Sequence, residues 1–204
     1  MSLQRRQRGT RDARLFIVAT EGAKAEPAYF AHLRQLRIVG PRVHIEVVPT
    51  PTVGVDAGRS APEYVLNRAI VASKDLAFRA DLDEIWLVLD VDRWGAQLSQ
   101  MASVARTKQV QLAATNPCFE FWLLLHFAHS APIAKCDDAK VALVSFQPVL
   151  DALATAHVDR ACTSARQLDP GRGNRWPQAT GSDLYRLFDA LRDAGAFAGV
   201  ERVG

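Results

Sequence analysis

An apolar stretch that ends on two carboxylates constrains the fold of this chain more than any other feature. Residues 85–89 are apolar without a break, and Asp90 and Asp92 follow them. A short apolar run bounded by charge is typical of a strand buried on both faces of a parallel sheet. Ligands bind beyond the carboxyl ends of such strands, so the sequence predicts that both aspartates lie at the edge of a site.

The chemistry of the two aspartates has two interpretations. Neighbouring carboxylates repel one another, and a hard divalent cation such as Mg²⁺ removes that repulsion with few protein ligands. Alternatively, Asp90 and Asp92 only end a strand and cap the helix that follows. An Asp-x-Asp pattern is too short to decide between a metal site and a cap.

Strand and helix patterns alternate along the first two thirds of the chain. Strand-like runs cover residues 15–19, 43–49, 85–89 and 110–114, and helical patterns lie between them. This alternation predicts an α/β fold with a mostly parallel four-stranded sheet and helices on both faces. The first strand ends at Glu21 and Gly22, whereas Glu26 and Pro27 are typical of a helix start, and the turn at Arg93 to Gly95 leads into a helix over 97–106.

The remaining sequence predicts three regions along the chain. From about residue 130 helices are separated by polar links, so we expect an α/β core over 14–129 and a helical appendage packed on it over 130–204. The formal charge of +3 comes from the first fourteen residues, where five arginines face one aspartate. We therefore expect residues 1–13 to form a basic flexible tail, which either contacts nucleic acid or is simply solvated.

Cysteine usage and hydropathy indicate a cytoplasmic protein. Cys118, Cys136 and Cys162 are widely spaced and include no Cys-x-x-Cys pair, so they predict neither a disulfide framework nor a zinc site. No apolar stretch approaches the roughly 20 residues that cross a bilayer. We expect a reduced cytoplasm and no membrane partner.

Glu120 is unusual because it lies in a helical pattern, residues 118–127, that is apolar on nearly every side. A carboxylate in such surroundings needs a cation, a hydrogen-bond donor or a raised pKa. The dipole of the helix also favours an acid in the first turn. A structural role and a role in a site both remain open for Glu120.

Three blocks of the sequence closely resemble the RloB-like proteins, which are encoded near bacterial restriction loci. The blocks are residues 16–30 with Thr20-Glu21-Gly22, residues 86–92 with Asp90-Val91-Asp92, and residues 116–127 with Asn116-Pro117-Cys118-Phe119-Glu120. They occur in the family's order, and the resemblance continues through 180–191. It therefore covers most of the chain.

The RloB-like proteins in turn resemble a branch of the Toprim superfamily, the metal-binding domain of primases, topoisomerases and certain defence nucleases. The resemblance implies a Toprim/Rossmann-like fold in which Asp90 and Asp92 hold Mg²⁺ or Mn²⁺. Glu21 would be a further ligand or a general acid/base. Further candidate catalytic groups are Lys24 and Glu120, and candidate contacts to phosphate or nucleic acid are Gly22, Lys24, Arg93 and Asn116.

The chain departs from the family pattern at two positions. Ala25 stands where the family usually has Thr, which removes a hydroxyl contact or a helix cap. Trp94 stands where a further acid is often found, so the metal shell would hold fewer carboxylates. The choice between one and two metal ions therefore remains open.

The expected function is that of a metal-dependent nuclease that cleaves DNA or RNA, including tRNA, in anti-phage defence. The alternative is a non-catalytic effector or sensor that acts with a separate ATPase, because the chain has no Walker-type phosphate loop of its own. A nucleotide site in the same crevice is a third interpretation. A homo-oligomer is compatible with each of them.

Overall fold

The computed structural model describes residues 12–35, 40–127, 133–146, 155–169 and 175–196. Within these residues the chain is an α/β fold with five strands and seven helices. The predicted basic tail lies outside them except for its last two residues. The predicted boundary between core and appendage, at residues 129 and 130, also lies outside the described residues.

The elements alternate as the sequence predicts until the chain reaches the last helices. In chain order they are β1 (Arg14–Thr20), α1 (Ala25–Gln35), β2 (Val43–Val48), α2 (Pro62–Asp75), β3 (Glu84–Asp90), α3 (Val91–Thr107), β4 (Gln111–Asn116), α4 (Phe119–Leu124), α5 (Cys136–Val144), α6 (Thr155–Gln167), β5 (Gly181–Ser182) and α7 (Leu184–Asp193). None of the helices in the described part of the chain is long and apolar enough to cross a membrane.

The sheet has the strand order β2-β1-β3-β4-β5 and is mixed rather than purely parallel. The first four strands are parallel, as predicted, but β5 pairs antiparallel with β4, with Ser182 opposite Thr115. The prediction of four strands is therefore wrong by one. Two residues are too few to leave a periodic pattern in the sequence, and only the folded chain brings them beside β4.

The chain reverses its direction across the sheet between β1 and β3. It runs from β1 to the outer strand β2 through α1 and then crosses back to β3 through α2, which places these helices on opposite faces. Accordingly, Phe16 of β1 packs in one buried apolar cluster with Phe30 of α1, and Ile17 packs in another with Val65 of α2. The carboxyl ends of β1 and β3 meet at this switch point, where ligands bind in such sheets.

The C-terminal helices share the larger apolar cluster with α1 and α4. Side chains of α5, α6 and α7 belong to this cluster. Trp122 of α4 stacks on Phe188 of α7, with ring centroids 5.4 Å apart and an interplanar angle of 21°. Both side chains are fully buried. The described helices after residue 133 therefore contribute to the core that supports the sheet.

The helix after β3 begins earlier than the sequence predicts. Instead of a turn at Arg93 to Gly95, α3 is helical from Val91. Leu98, Met101 and Ala105 of α3 are buried in the cluster on the α2 face. Their packing anchors the helix, and one glycine within a helix costs only about 1 kcal/mol. Asp92 therefore lies in the first turn of a helix.

We predict that Phe188→Ala lowers the free energy of unfolding by about 3–5 kcal/mol, because it removes a buried ring that is stacked on Trp122. Val71→Ala is the matched control, since its side chain is 57% exposed, and it should change stability by less than about 0.5 kcal/mol. Chemical denaturation measures both. Equal effects would show that α7 does not pack in the core as described.

Candidate active site

The carboxylate of Glu21 bridges the ends of β1 and β3. The amide of Glu21 donates to the carbonyl of Val88 at 3.0 Å, which extends the β1–β3 pairing past Thr20. Its side chain is buried, and Oε2 accepts the amide of Asp90 at 3.1 Å, while Oε1 accepts Nη1 of Arg93 at 3.1 Å. Glu21 is therefore fixed against the end of β3 and the first turn of α3.

Three residues outside the predicted site hold the turn that carries Glu21. The hydroxyl of Thr20 donates to the carbonyl of Gly22 at 2.8 Å. Thr50 donates to the carbonyl of Thr20 at 3.4 Å, and Arg68 of α2 donates to the Thr50 hydroxyl at 2.7 Å. The loop after β2 and the helix α2 thus hold the turn from outside. Nothing in the sequence pattern indicates these contacts.

Asp90 occupies the N-cap position of α3, but within the described residues its carboxylate does not cap that helix. Oδ1 instead accepts the amide of Phe119, the first residue of α4, at 2.9 Å. The capping interpretation therefore does not describe Asp90. Asp92 has an exposed side chain in the first turn of α3, and its amide donates to the carbonyl of Pro117 at 3.1 Å.

Glu26 belongs to the same group of acids, although the sequence analysis assigned it only to the start of α1. Its carboxylate is 5% exposed and accepts the amide of Gly22 at 2.8 Å. A Cβ at position 22 would lie 1.9 Å from Oε2 of Glu26. Position 22 therefore has to be glycine for this contact. The same hydrogen bond occupies the Gly22 amide, which was predicted to bind phosphate.

These side chains line one open cleft of about 310 Å³ at the carboxyl edge of the sheet. Its walls are formed by Glu21, Gly22, Glu26, Asp90, Asp92, Arg93, Phe119, Glu120, Cys136 and Lys140. Of the predicted site residues, the fold thus brings Glu21, Asp90, Asp92, Arg93 and Glu120 to one cleft. Cys136 and Lys140, both from α5, were not predicted, because nothing in the sequence shows that α5 folds back over this edge.

Two predicted site residues lie apart from the cleft. Lys24 is exposed on the turn before α1, and Nδ2 of Asn116 donates to the carbonyl of Pro177 at 3.2 Å. Neither Lys24 nor Asn116 is among the described residues that line the cleft. Lys140 lines the cleft together with Asp92. Burial raises the pKa of Asp92, whereas the amide and the charge of Arg93 and then the charge of Lys140 oppose that shift.

Burial and mutual repulsion dominate the electrostatics of the cleft. Burial, followed by the charges of Glu21 and Glu26, raises the pKa of Asp90 to about 9. Burial also raises the pKa of Glu26, and Glu120 and Glu21 add to that effect. The acids outnumber the nearby cations, and carboxylate oxygens are the donors that hard divalent cations prefer. The donor set therefore fits Mg²⁺ or Mn²⁺.

Glu21 accepts hydrogen bonds from one backbone amide and one charged side chain. Burial raises the pKa of Glu21, whereas the Asp90 amide, the Trp94 indole and the Arg93 guanidinium oppose that shift. The buried indole nitrogen of Trp94 makes no regular hydrogen bond within the described residues, so its influence on Glu21 is a weaker effect of proximity. Trp94, which replaces an expected acid, thus still faces the site.

The prediction that the cysteines form no disulfide is wrong. Cys118 and Cys136 are joined by a disulfide bond, with Cα atoms 5.5 Å apart, and Cys162 is free and buried. The two cysteines are 18 residues apart in sequence. They meet because α5 returns to the start of α4, a reversal that the sequence spacing does not reveal.

The fold and the cleft define an α/β protein with an open cleft at the switch point of a doubly wound sheet, which is where ligands bind in such folds. The model of one protein family, described as RloB-like protein, matches residues 16–191. This match covers most of the sequence, and the chain belongs to the RloB-like family. No curated protein and no solved structure matches the chain.

We predict that Gly22→Ala costs about 1–3 kcal/mol of stability, because the added Cβ displaces the buried carboxylate of Glu26 from its amide donor. Gly95→Ala is the matched control. A Cβ at Gly95, within α3, would meet no atom within 4 Å, and alanine should stabilise the helix by about 0.5–1 kcal/mol. Thermal denaturation measures both changes. A neutral Gly22→Ala variant would contradict the described contact.

A pH dependence also follows from Asp90. Its pKa is raised from 3.8 to about 9, so the folded protein holds this proton more tightly than the unfolded chain does. The stabilisation from this proton is fully present at a pH below the pKa of Asp90 in the unfolded chain. It is lost as the pH rises toward the pKa of Asp90 in the folded protein. With a chelator present, the free energy of unfolding should fall between about pH 5 and about pH 8, as measured by urea denaturation.

The fall in the free energy of unfolding with rising pH should be smaller in Asp90→Asn, because an amide does not titrate. Asp75→Asn, an exposed position at the end of α2, should keep the slope of the unchanged protein. An Asp90→Asn variant with the original slope would show that Asp90 is already ionised at low pH in the folded protein.

Proposed function

We propose that this protein is an Mg²⁺- or Mn²⁺-dependent nuclease of the Toprim type, which cleaves phosphodiester bonds of DNA or RNA in anti-phage defence. One observation carries the proposal, namely that Glu21, Asp90 and Asp92 line one open cleft at the switch point of the sheet. The parallel strands β1 and β3 deliver these acids in the order that the Toprim resemblance requires.

The ion would be held by Asp90 and Asp92, with Glu21 as a further ligand. When bound, it neutralises charge on the phosphoryl oxygens and lowers the pKa of a water that attacks phosphorus. The residues themselves prepare the site. The Phe119 amide orients Asp90, and the Asp90 amide orients Glu21. Both carboxylates are thus fixed before a ligand arrives, which reduces the cost of ordering them on binding.

Glu26 and Glu120 compensate for the acid that Trp94 replaces. Both line the cleft, and their charges raise the pKa of Asp90. The cleft therefore contains five carboxylates, the four predicted and Glu26, which provide enough oxygen donors for two cations. Glu120 is half-buried at the wall of the cleft, where it is placed to take or give a proton, as general acid/base catalysis requires.

Arg93 and Lys140 are the cations that we assign to the substrate phosphate. The side chain of Arg93 is 58% exposed although it is paired with Glu21, so its guanidinium can reach an oxygen at the mouth of the cleft. Lys140 also lines the cleft. We assign this role to Lys140 in place of Lys24 and Asn116, which do not line the cleft.

We predict that purified protein cleaves DNA or RNA, including tRNA, only with Mg²⁺ or Mn²⁺. Glu21→Gln and Asp90→Asn should each reduce the rate by at least about a hundredfold, since each removes a ligand or a proton-transfer group. Gel assays on labelled single- and double-stranded substrates measure the rate, and calorimetry measures Mg²⁺ affinity. Glu63→Gln, an exposed acid of α2, is the matched control.

Full activity in both site variants would refute this assignment of the site. A separate outcome distinguishes the non-catalytic alternative. If the protein co-purifies with an ATPase while Glu21→Gln and Asp90→Asn retain full protection against phage, the chain acts as an effector or sensor, and the acids only stabilise the fold.

A further inference from the structure

Two cysteines and one acid lie together on the α4–α5 side of the cleft. Cys118 precedes α4, Glu120 lies in its first turn, and Cys136 begins α5. One ligand atom from each lies within 4.8 Å of the other two. We propose that in the reduced protein these three residues bind a soft divalent cation of the Zn²⁺ type. This site shares Glu120 with the proposed nuclease cleft, but its two sulfur ligands have no part in the nuclease assignment.

The distance between the Cys136 sulfur and the Glu120 carboxylate matches that of a tetrahedral zinc site. Zn–S bonds of about 2.3 Å and Zn–O bonds of about 2.1 Å place a sulfur and an oxygen ligand roughly 3.6 Å apart. Sγ of Cys136 lies 3.7 Å from Oε2 of Glu120. The two sulfurs have to separate, from the roughly 2 Å of any disulfide to about 3.8 Å. Side-chain rotation at Cys136, which is half-buried, provides that movement.

The two sulfurs exist in two redox states. Two electrons and two protons from a dithiol reductant break the S–S bond and give two thiols, while the reductant becomes a disulfide. Binding of the cation then displaces both thiol protons, since thiolates are the ligands. The disulfide form is closed to the cation, and the dithiol form is open to it.

The surroundings provide both a pocket and an entry path. Cys118 is fully buried in the larger apolar cluster, which excludes water from one side of the site. Cys136 and Glu120 line the cleft, so a cation reaches them from solvent, and a water completes the fourth position. A purely structural disulfide would require no carboxylate beside it. The position of Glu120 therefore favours a binding site.

The test uses Co²⁺, which reports sulfur ligands by a thiolate charge-transfer band in the near ultraviolet. The full chain is reduced with a phosphine, freed of reductant under anaerobic conditions and titrated with Co²⁺, and Zn²⁺ is then added. We expect the band to appear in the reduced protein, to be absent from the oxidised protein, and to disappear as Zn²⁺ displaces Co²⁺.

The variants identify the ligands. Cys136→Ser should abolish the band, and Cys162→Ala should keep it, because Cys162 is the buried free cysteine of α6. Glu120→Gln should keep the band but weaken Co²⁺ binding by more than tenfold. If Glu120→Gln binds as tightly as the unchanged protein, the carboxylate is not a ligand and the three-residue site is wrong.

Two further results would overturn the proposal. One is the absence of a thiolate band in the reduced, folded protein. The other is a band that survives Cys136→Ser, which would place the sulfur ligand elsewhere. Cys118→Ser is not essential to the test, since replacing this fully buried side chain can prevent folding. Asp90→Asn should keep the band, which distinguishes this site from failure of the nuclease assignment.

Discussion

The hydrogen bond from the Asp90 amide to the Glu21 carboxylate is the contact on which the site depends. It joins the end of β1 to the end of β3, the two strands between which the chain reverses its direction across the sheet. A buried carboxylate is costly unless donors compensate for the lost water. The Asp90 amide and Arg93 are these donors. The Glu21 carboxylate can therefore stay buried at the ends of strands that apolar side chains surround.

The same constraint explains why so many acids coexist in one cleft. Each of the three most buried carboxylates accepts a backbone amide, namely Glu21 from Asp90, Glu26 from Gly22 and Asp90 from Phe119. Oriented amides partly offset burial without adding a charge. The pKa values of these three carboxylates nevertheless stay raised, so bound protons reduce the repulsion in the absence of a metal ion, and a bound cation would take their place.

The sequence predicts the strands better than the contacts between elements. Residues 85–89 and the acids after them are correctly placed at the edge of a sheet, because an apolar run that ends in charge has one stable arrangement in an α/β fold. Glu26 was assigned to the start of α1, because an acid in the first turn of a helix and an acid in a binding site look the same in the sequence. Lys140, Cys136 and strand β5 were missed because each depends on distant segments that only the folded chain brings together.

Three successive residues at the start of α4 connect parts of the site that are distant in sequence. Cys118 bonds to α5, the Phe119 amide holds Asp90, and Glu120 lines the cleft between them. A change in the bond at Cys118 therefore acts one residue away from the donor that orients Asp90. Because α5 also carries Lys140, which lines the cleft, the disulfide links the start of α4 to the helix that brings this cation to the site.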